Sequence, residues 1–158
     1  MSRTRRTPAR PHRSSDRVGV CIKYRVDVAV IAIGGDAALV ERLRAADIAV
    51  FVLVGTESQA RTALDGWGAD GLFAQGDEAG GHLAGQTPAR SFLATALAVA
   101  GHRPVLLAGG IAHSADTRPA MDAGAAGVVA GTRFLLTHES GAHPMLRVGW
   151  ARRSAPPP

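Results

Sequence analysis

One imidazole lies in a run of glycines. The stretch Gln75-Gly76-Asp77-Glu78-Ala79-Gly80-Gly81-His82-Leu83-Ala84-Gly85 holds four glycines in eleven residues. Glycine adopts positive φ at no steric cost and lets backbone N–H groups approach a ligand closely. Histidine titrates near neutrality, which suits a general base. Two shorter glycine turns follow, Ala108-Gly109-Gly110 and Ala130-Gly131-Thr132, each closing an apolar run. Converging N–H donors free of side-chain obstruction are what a dianionic phosphate requires. Taken singly, each residue has a second reading. His82 alone is an ordinary loop histidine, and the stretch a long flexible connector. Gln75 either lines a ligand or ties the loop to its own backbone. Asp77 and Glu78 are adjacent, so they point apart, as solvated charges or backbone caps rather than an acid–base pair. Arg133 either neutralises a phosphate or faces outward. His113 and His138 read as surface residues and His143, before Pro144, as a loop residue. The spacing of the histidines other than His82 gives no metal-ligand cluster with carboxylates.

These turns need elements to hold them. Val28–Ile33, Ile48–Val54, Gly71–Ala74, Pro104–Ala108 and Ala126–Ala130 are short apolar runs of strand length. Continuous runs of this kind suit strands covered on both faces, as in parallel sheets. Helical spacing falls between them. Asp36 is placed to cap a helix to Arg44, and Thr56 one to about Leu64. Thr87 is a cap with Pro88 in the first turn of a helix ended by Gly101. Ser114 opens one to about Ala123 despite Pro119. Arg133–Leu136 reads as a short helix. Five β-α repeats with long connections demand parallel strands and right-handed crossovers. An open doubly wound sheet and a (β/α)8 TIM barrel both remain. A dinucleotide fold carries G-x-G-x-x-G after its first strand, and no such string occurs. The tight glycine turns follow the last two strands instead, where a barrel commonly holds phosphate beside a short extra helix. The fold class is therefore α/β, a partial barrel of about strands four to eight, with the first three missing.

With 158 residues, 46% of them hydrophobic, the chain has material for one domain with a core of Ala, Val, Leu and Ile. Cys21 is the single cysteine, so no internal disulfide forms. A cytoplasmic location is expected. No apolar run reaches membrane-spanning length. The net charge of +5 is unevenly placed. Residues 1–25 carry eight basic side chains against Asp16, which leaves the remainder at −2. The Arg-, Ser- and Pro-rich leader, residues 1–25, is expected to be disordered, as is the tail, residues 147–158. The leader lacks interleaved aromatics, so a solvated tail is favoured over a nucleic-acid partner.

Three strings, in order, resemble the nitronate monooxygenases (formerly 2-nitropropane dioxygenases), a family related to the FMN-dependent enoyl-ACP reductases. They are residues 68–82 through His82, Pro104-Val-Leu-Leu-Ala-Gly-Gly-Ile111, and residues 124–134 around Gly131-Thr132. The resemblance covers roughly residues 26–144, within a barrel-like domain of residues 26–146. It implies an FMN cofactor. Gln75, Gly80, Gly81 and Gly85 would line the flavin from the long loop. Gly110 with Val129, Ala130, Gly131 and Thr132 would hold its phosphate. His82 would be the catalytic base that takes the α-proton of a nitroalkane. The implied activity is oxidation of a small alkyl nitronate with O2 to a carbonyl compound and nitrite.

Family members are about twice this long. Their first strands supply an amino-terminal loop and an asparagine to the flavin site, which residues 1–25 do not provide. Five of eight strands leave two open edges and an uncovered inner face. The chain is thus expected to need a partner or a homo-oligomer to complete the barrel, or to bind FMN weakly. An FMN-dependent enoyl reductase, and an inactive half-barrel or non-catalytic binding module, are the alternative functions.

Overall fold

The computed structural model describes residues 13–145, with side chains from residue 17 onward. The elements are α1 (Arg13–Lys23), β1 (Val28–Ile31), α2 (Ala37–Arg44), β2 (Ala49–Val54), α3 (Glu57–Arg61), β3 (Gly71–Gln75), α4 (Ala89–Ala100), β4 (Val105–Ala108), α5 (Ser114–Asp122) and β5 (Gly127–Val129). A single π-helical turn, Thr62–Gly66, extends α3, and a 3-10 turn, Thr132–Leu136, follows β5.

The five strands form one parallel sheet in the order β1-β2-β3-β4-β5. The register runs through Val28 opposite Ala49, Phe51 opposite Gly71, Leu72 opposite Val105 and Leu106 opposite Gly127. This order decides between the two architectures. A doubly wound sheet reverses direction at a switch point; here every crossover steps the same way, as around a barrel wall. The chain is a sector of a (β/α) barrel.

Burial alternates along β2 as a two-residue period requires. Val50, Val52 and Val54 are buried on one face, while Ala49, Phe51 and Leu53 are half-buried on the other. α2 and α3 pack on β2, α4 on β3 and β4, and α5 on β5. The main core joins Leu72, Ala74, Val105 and Leu107 of the sheet to Leu64, Phe92, Leu93 and Ala96 of the helices. On the opposite face, which is the barrel interior, Phe51 and Phe73 meet edge to face at 5.7 Å.

Local chemistry fixes the element ends. The Asp36 carboxylate accepts from the Leu39 N–H at 2.8 Å, and the Thr56 hydroxyl from the Gln59 N–H at 3.3 Å, as side-chain caps should. Asp70 ties the start of β3 to β2. Its carboxylate accepts from the Val50 N–H at 2.8 Å and pairs with Arg44 at 3.1 Å.

Two expectations change. Within the leader, Arg13–Lys23 is helical rather than disordered, because Val18, Cys21 and Ile22 recur at helical spacing. They close a second core cluster with Val40, Leu43, Ile48 and Val50. The chain ahead of α1 and the tail at 147–158 lie outside the described residues. At α4 the cap position is Pro88, not Thr87. The first helical N–H, that of Ala89, is met by the Glu78 carboxylate at 2.9 Å.

Candidate functional site

The loops that follow β3, β4 and β5 gather at one end of the sheet, where each strand gives way to glycine. They enclose a cleft of about 580 Å³ lined by Gly80, Gly81, Gly109, Gly110, Thr132 and Arg133, among others. Gly109 and Gly110 turn the chain with φ of +118° and +68°. Gly80 faces Thr132 so closely that a Cβ there would lie 2.6 Å from the threonine Oγ1. Among the described residues, the backbone N–H groups of Gly80, Gly81, Gly110, Ile111 and Gly131 have no protein acceptor. The cleft is thus rich in uncommitted donors, and Arg133 is among the residues that line it.

A second cavity, of about 450 Å³, lies beyond the ends of β1 and β2 and against α3. Its lining is chiefly apolar, with Ile31, Val52, Trp67 and Leu83, and His82 stands at it. One loop borders both spaces: Gly80 and Gly81 face the cleft, and His82, Leu83 and Ala84 face the apolar cavity.

Gln75 holds that loop in shape. It is only 6% exposed. Its Nε2 donates to the His82 carbonyl at 3.2 Å, and its Oε1 accepts from the Ala84 N–H at 2.7 Å. From α3, Gln59 grips the same loop. Its Nε2 donates to the Ala84 carbonyl at 3.1 Å, and its Oε1 accepts from the Gly55 N–H at 2.8 Å.

The residues singled out in the sequence therefore divide. Gly80, Gly81, Gly110, Val129, Gly131 and Thr132 come together in the cleft. Arg133 is exposed and borders both the cleft and the shallower space beside α5, so both of its sequence readings stay open. His82 belongs to the neighbouring cavity. Gln75 lines neither, and its amide takes the loop-tying role. Gly85 is a glycine for a packing reason. A Cβ there would collide with the Gly55 carbonyl oxygen, and one at Gly55 with the Gly85 nitrogen. Ala130 lines a shallow space on the α5 side of β5, with Thr117 and Val128, instead of the cleft. The sequence did not single out Gln59, Trp67 or Ile111.

Residues 7–151 match the nitronate monooxygenase family. The chain belongs to that family. A hydroxy-methyl-oxo-octahydroindene carboxyl-CoA dehydrogenase of Mycobacterium tuberculosis is 40% identical over 129 residues, which are 80% of this chain and 36% of the relative. Among solved structures, nitroalkane oxidase from Streptomyces ansochromogenes superposes with a TM-score of 0.76 at 31% identity, over 85% of this chain and 41% of that one. FabK from Thermotoga maritima superposes with a TM-score of 0.77 at 32% identity, over 85% of this chain and 42% of that one. The chain spans about a third of the length of the curated relatives it matches. The names of the family, of the dehydrogenase and of the nitroalkane oxidase are those of oxidoreductases, and the sheet order seen here fits part of a TIM barrel. Among the described residues, no helix is long and apolar enough to cross a membrane, and no cluster of His, Cys, Asp and Glu could hold a metal ion.

Proposed function

We propose that this chain carries the phosphate-holding and proton-handling part of an FMN-dependent oxidoreductase that acts on alkyl nitronates, with a cytoplasmic location. One observation supports this reading above the rest: the loop 76–85 borders both the donor-rich cleft and the apolar cavity with His82. The cleft fits the phosphate end of FMN. Uncommitted N–H groups, the Thr132 hydroxyl and Arg133 are an anion-binding set, and glycines keep side chains out of it. When bound, FMN supplies the electron transfer between substrate and dioxygen.

The chain's own residues do the rest. The imidazole of His82 accepts the α-proton of a neutral nitroalkane and so prepares the nitronate. Its oxidation ends as a carbonyl compound and nitrite. Gln75 and Gln59 keep the His82 loop in one arrangement while this happens. A second copy of the chain, or a separate chain that extends the sheet edges, completes the wall of the site.

The test is an FMN titration of the purified chain, with nitrite release and oxygen uptake measured beside it. His82→Ala should lower the rate on a neutral nitroalkane by about 10²–10⁴-fold. Turnover of preformed nitronate and FMN affinity should stay near their starting values. Equal loss on both substrates would remove His82 as the base, and absence of FMN binding would remove the reading.

The likeness to FabK and to a carboxyl-CoA dehydrogenase favours a second reading, redox chemistry on a carbon skeleton carried as a thioester. Pyridine-nucleotide-driven reduction of an enoyl thioester, without nitrite release from nitroalkanes, would select it. An absence of flavin together with salt-sensitive nucleic-acid binding would point instead to a non-catalytic module driven by the basic leader.

A further inference from the structure

The sheet ends in two edges that are ready to pair. β1 reads Val-Ala-Val-Ile and β5 Gly-Val-Val, and each is bonded on one side only among the described residues. Natural edge strands are usually blunted by a charge, a proline or a bulge. Neither of these strands carries a charge or a proline. The Asp27 carbonyl accepts from the Ala49 N–H at 3.0 Å, so the alternation of a parallel ladder turns the backbone groups of Val28 and Val30 to the open side. We propose that a second copy of this chain closes the sheet, with β5 of each copy pairing in parallel with β1 of the other. The seam rests on the two edges; its use, to complete a flavin site, rests on the nitronate reading above.

The distribution of apolar surface selects the partner. Among the described residues, every exposed large apolar side chain except Leu83 lies within residues 20–33 or 121–145, the segments around the two edges. In a (β/α) barrel the helices form the outer ring, so the seam sets α1 of one copy beside α5 of the other. Tyr24, just after α1 and 70% exposed, and Met121 of α5, 43% exposed, then stand on facing flanks. The charges are complementary as well. Residues 17–27 carry three basic side chains against Asp27, whereas α5 carries Asp116 and Asp122 against Arg118. A second copy offers a basic, apolar flank to an acidic, apolar one, and does so at both edges.

The symmetry closes. A contact between two different edges is heterologous and ends in a ring only when its rotation closes. A half-turn about the strand direction achieves this with two copies: all strands stay parallel and the two seams are alike. Barrel diameter grows with strand number, so two five-stranded sheets enclose a wider interior than eight strands do. Val28, Val30, Phe51 and Phe73 line it. The same half-turn keeps the loop ends of both copies at one mouth. Gly131 and Thr132, which follow β5, then stand beside the residues after β1 of the second copy, Ile33 to Gly35, and these supply the wall on that side of the cleft.

Sedimentation velocity on the full 158-residue chain decides. The parent should run at twice its 16.3 kDa mass. Val28→Pro removes an N–H from the β1 edge, and Met121→Asp puts a charge on the α5 flank. Each variant alone should run as a monomer, because each damages both seams of its own dimer. An equimolar mixture of the two should regain the dimer, because one of its two seams then holds neither change. Tyr24→Asp, at an exposed position, replaces Val28→Pro in a second mixture and should behave alike, which separates a lost seam from a lost fold. A parent that runs as a monomer or as an open-ended series of larger species would overturn the proposal. So would variants that stay dimeric alone, or mixtures that stay monomeric while each chain keeps the circular dichroism of the parent. FMN is scored apart from mass. A dimer that binds no FMN leaves the seam standing and removes the flavin reading; a monomer that binds FMN and releases nitrite does the reverse.

Discussion

Gln75 shows how one side chain changes meaning between sequence and structure. Its type and place in a glycine loop left two roles open, and the amide resolves them by its partners. Both ends are spent on the loop backbone, at the carbonyl of His82 and the N–H of Ala84. Sequence could not decide this, because a glutamine that binds a ligand and one that binds its own loop look alike. Gln75→Leu keeps the volume but orphans two backbone groups, a loss of about 1–3 kcal/mol. We expect kcat on a neutral nitroalkane to fall well below its starting value, because His82 loses its fixed position. Turnover of preformed nitronate and FMN affinity should change little, and steady-state kinetics on the two substrates beside a flavin titration would reveal the split. Equal losses in all three would mean that the residue is merely structural. The glycine turns after the last three strands were legible as a set, and the structure gathers Gly80, Gly81, Gly110 and Gly131 in one cleft. Glu78 was legible only as one of two options, a solvated charge or a cap, and it is the cap of α4.

Elements were legible where a side chain names its own boundary. Asp36 and Thr56 cap where their chemistry says they should, and the apolar runs became strands within a residue or two of their expected ends. The helix Arg13–Lys23 was hidden because its arginines dominate the average, while Val18, Cys21 and Ile22 carry the period. The π-helical turn that sets Trp67 in place has no compositional signature at all. The start of α5 offers a test. The Asp116 carboxylate accepts from the N–H groups of Ala112 at 3.0 Å and His113 at 2.8 Å. These backbone bonds, the Ala112 bond foremost, hold its pKa below the ordinary aspartate range. Because the folded pKa is the lower one, the cap stabilises fully above the ordinary aspartate range and its contribution disappears as pH falls through the folded value. Asp116→Ala should therefore cost about 1 kcal/mol near pH 7. The difference from the parent should vanish in strongly acidic solution, as denaturant unfolding at a series of pH values would record.

At the scale of the whole molecule, the strand order is the feature with the widest reach. It was legible from the position of the glycine turns late in the chain, which pointed to a barrel. What covers the inner face was not, because that depends on contacts made elsewhere. β1 and β5 are each paired on one side only among the described residues. Val28 and Val30 stand 49% and 47% exposed on the interior face beside Phe51 and Phe73. Such a surface favours association or a covering partner. The 158-residue chain prepared alone should bind a hydrophobic dye and scatter light above its 16.3 kDa monomer mass. Val30→Lys should reduce both signals. A monodisperse, dye-silent monomer would show that this face is covered from within.

The same strand order has a kinetic side. Among the described residues, each strand pairs only with the one that precedes or follows it in the chain. No strand must wait for a partner made much later, so the wall can be laid down strip by strip as the ribosome delivers it, from α1 toward β5. Each crossover still has to close before the next strand is rewarded, which makes parallel pairing slow relative to local helix formation. The loop that carries His82 can lock only after the Gly55 turn exists to receive it, because Gln59 and Gly55 supply the far half of its grip. The His82 loop is therefore a late arrival in its own neighbourhood, shaped by a turn already in place.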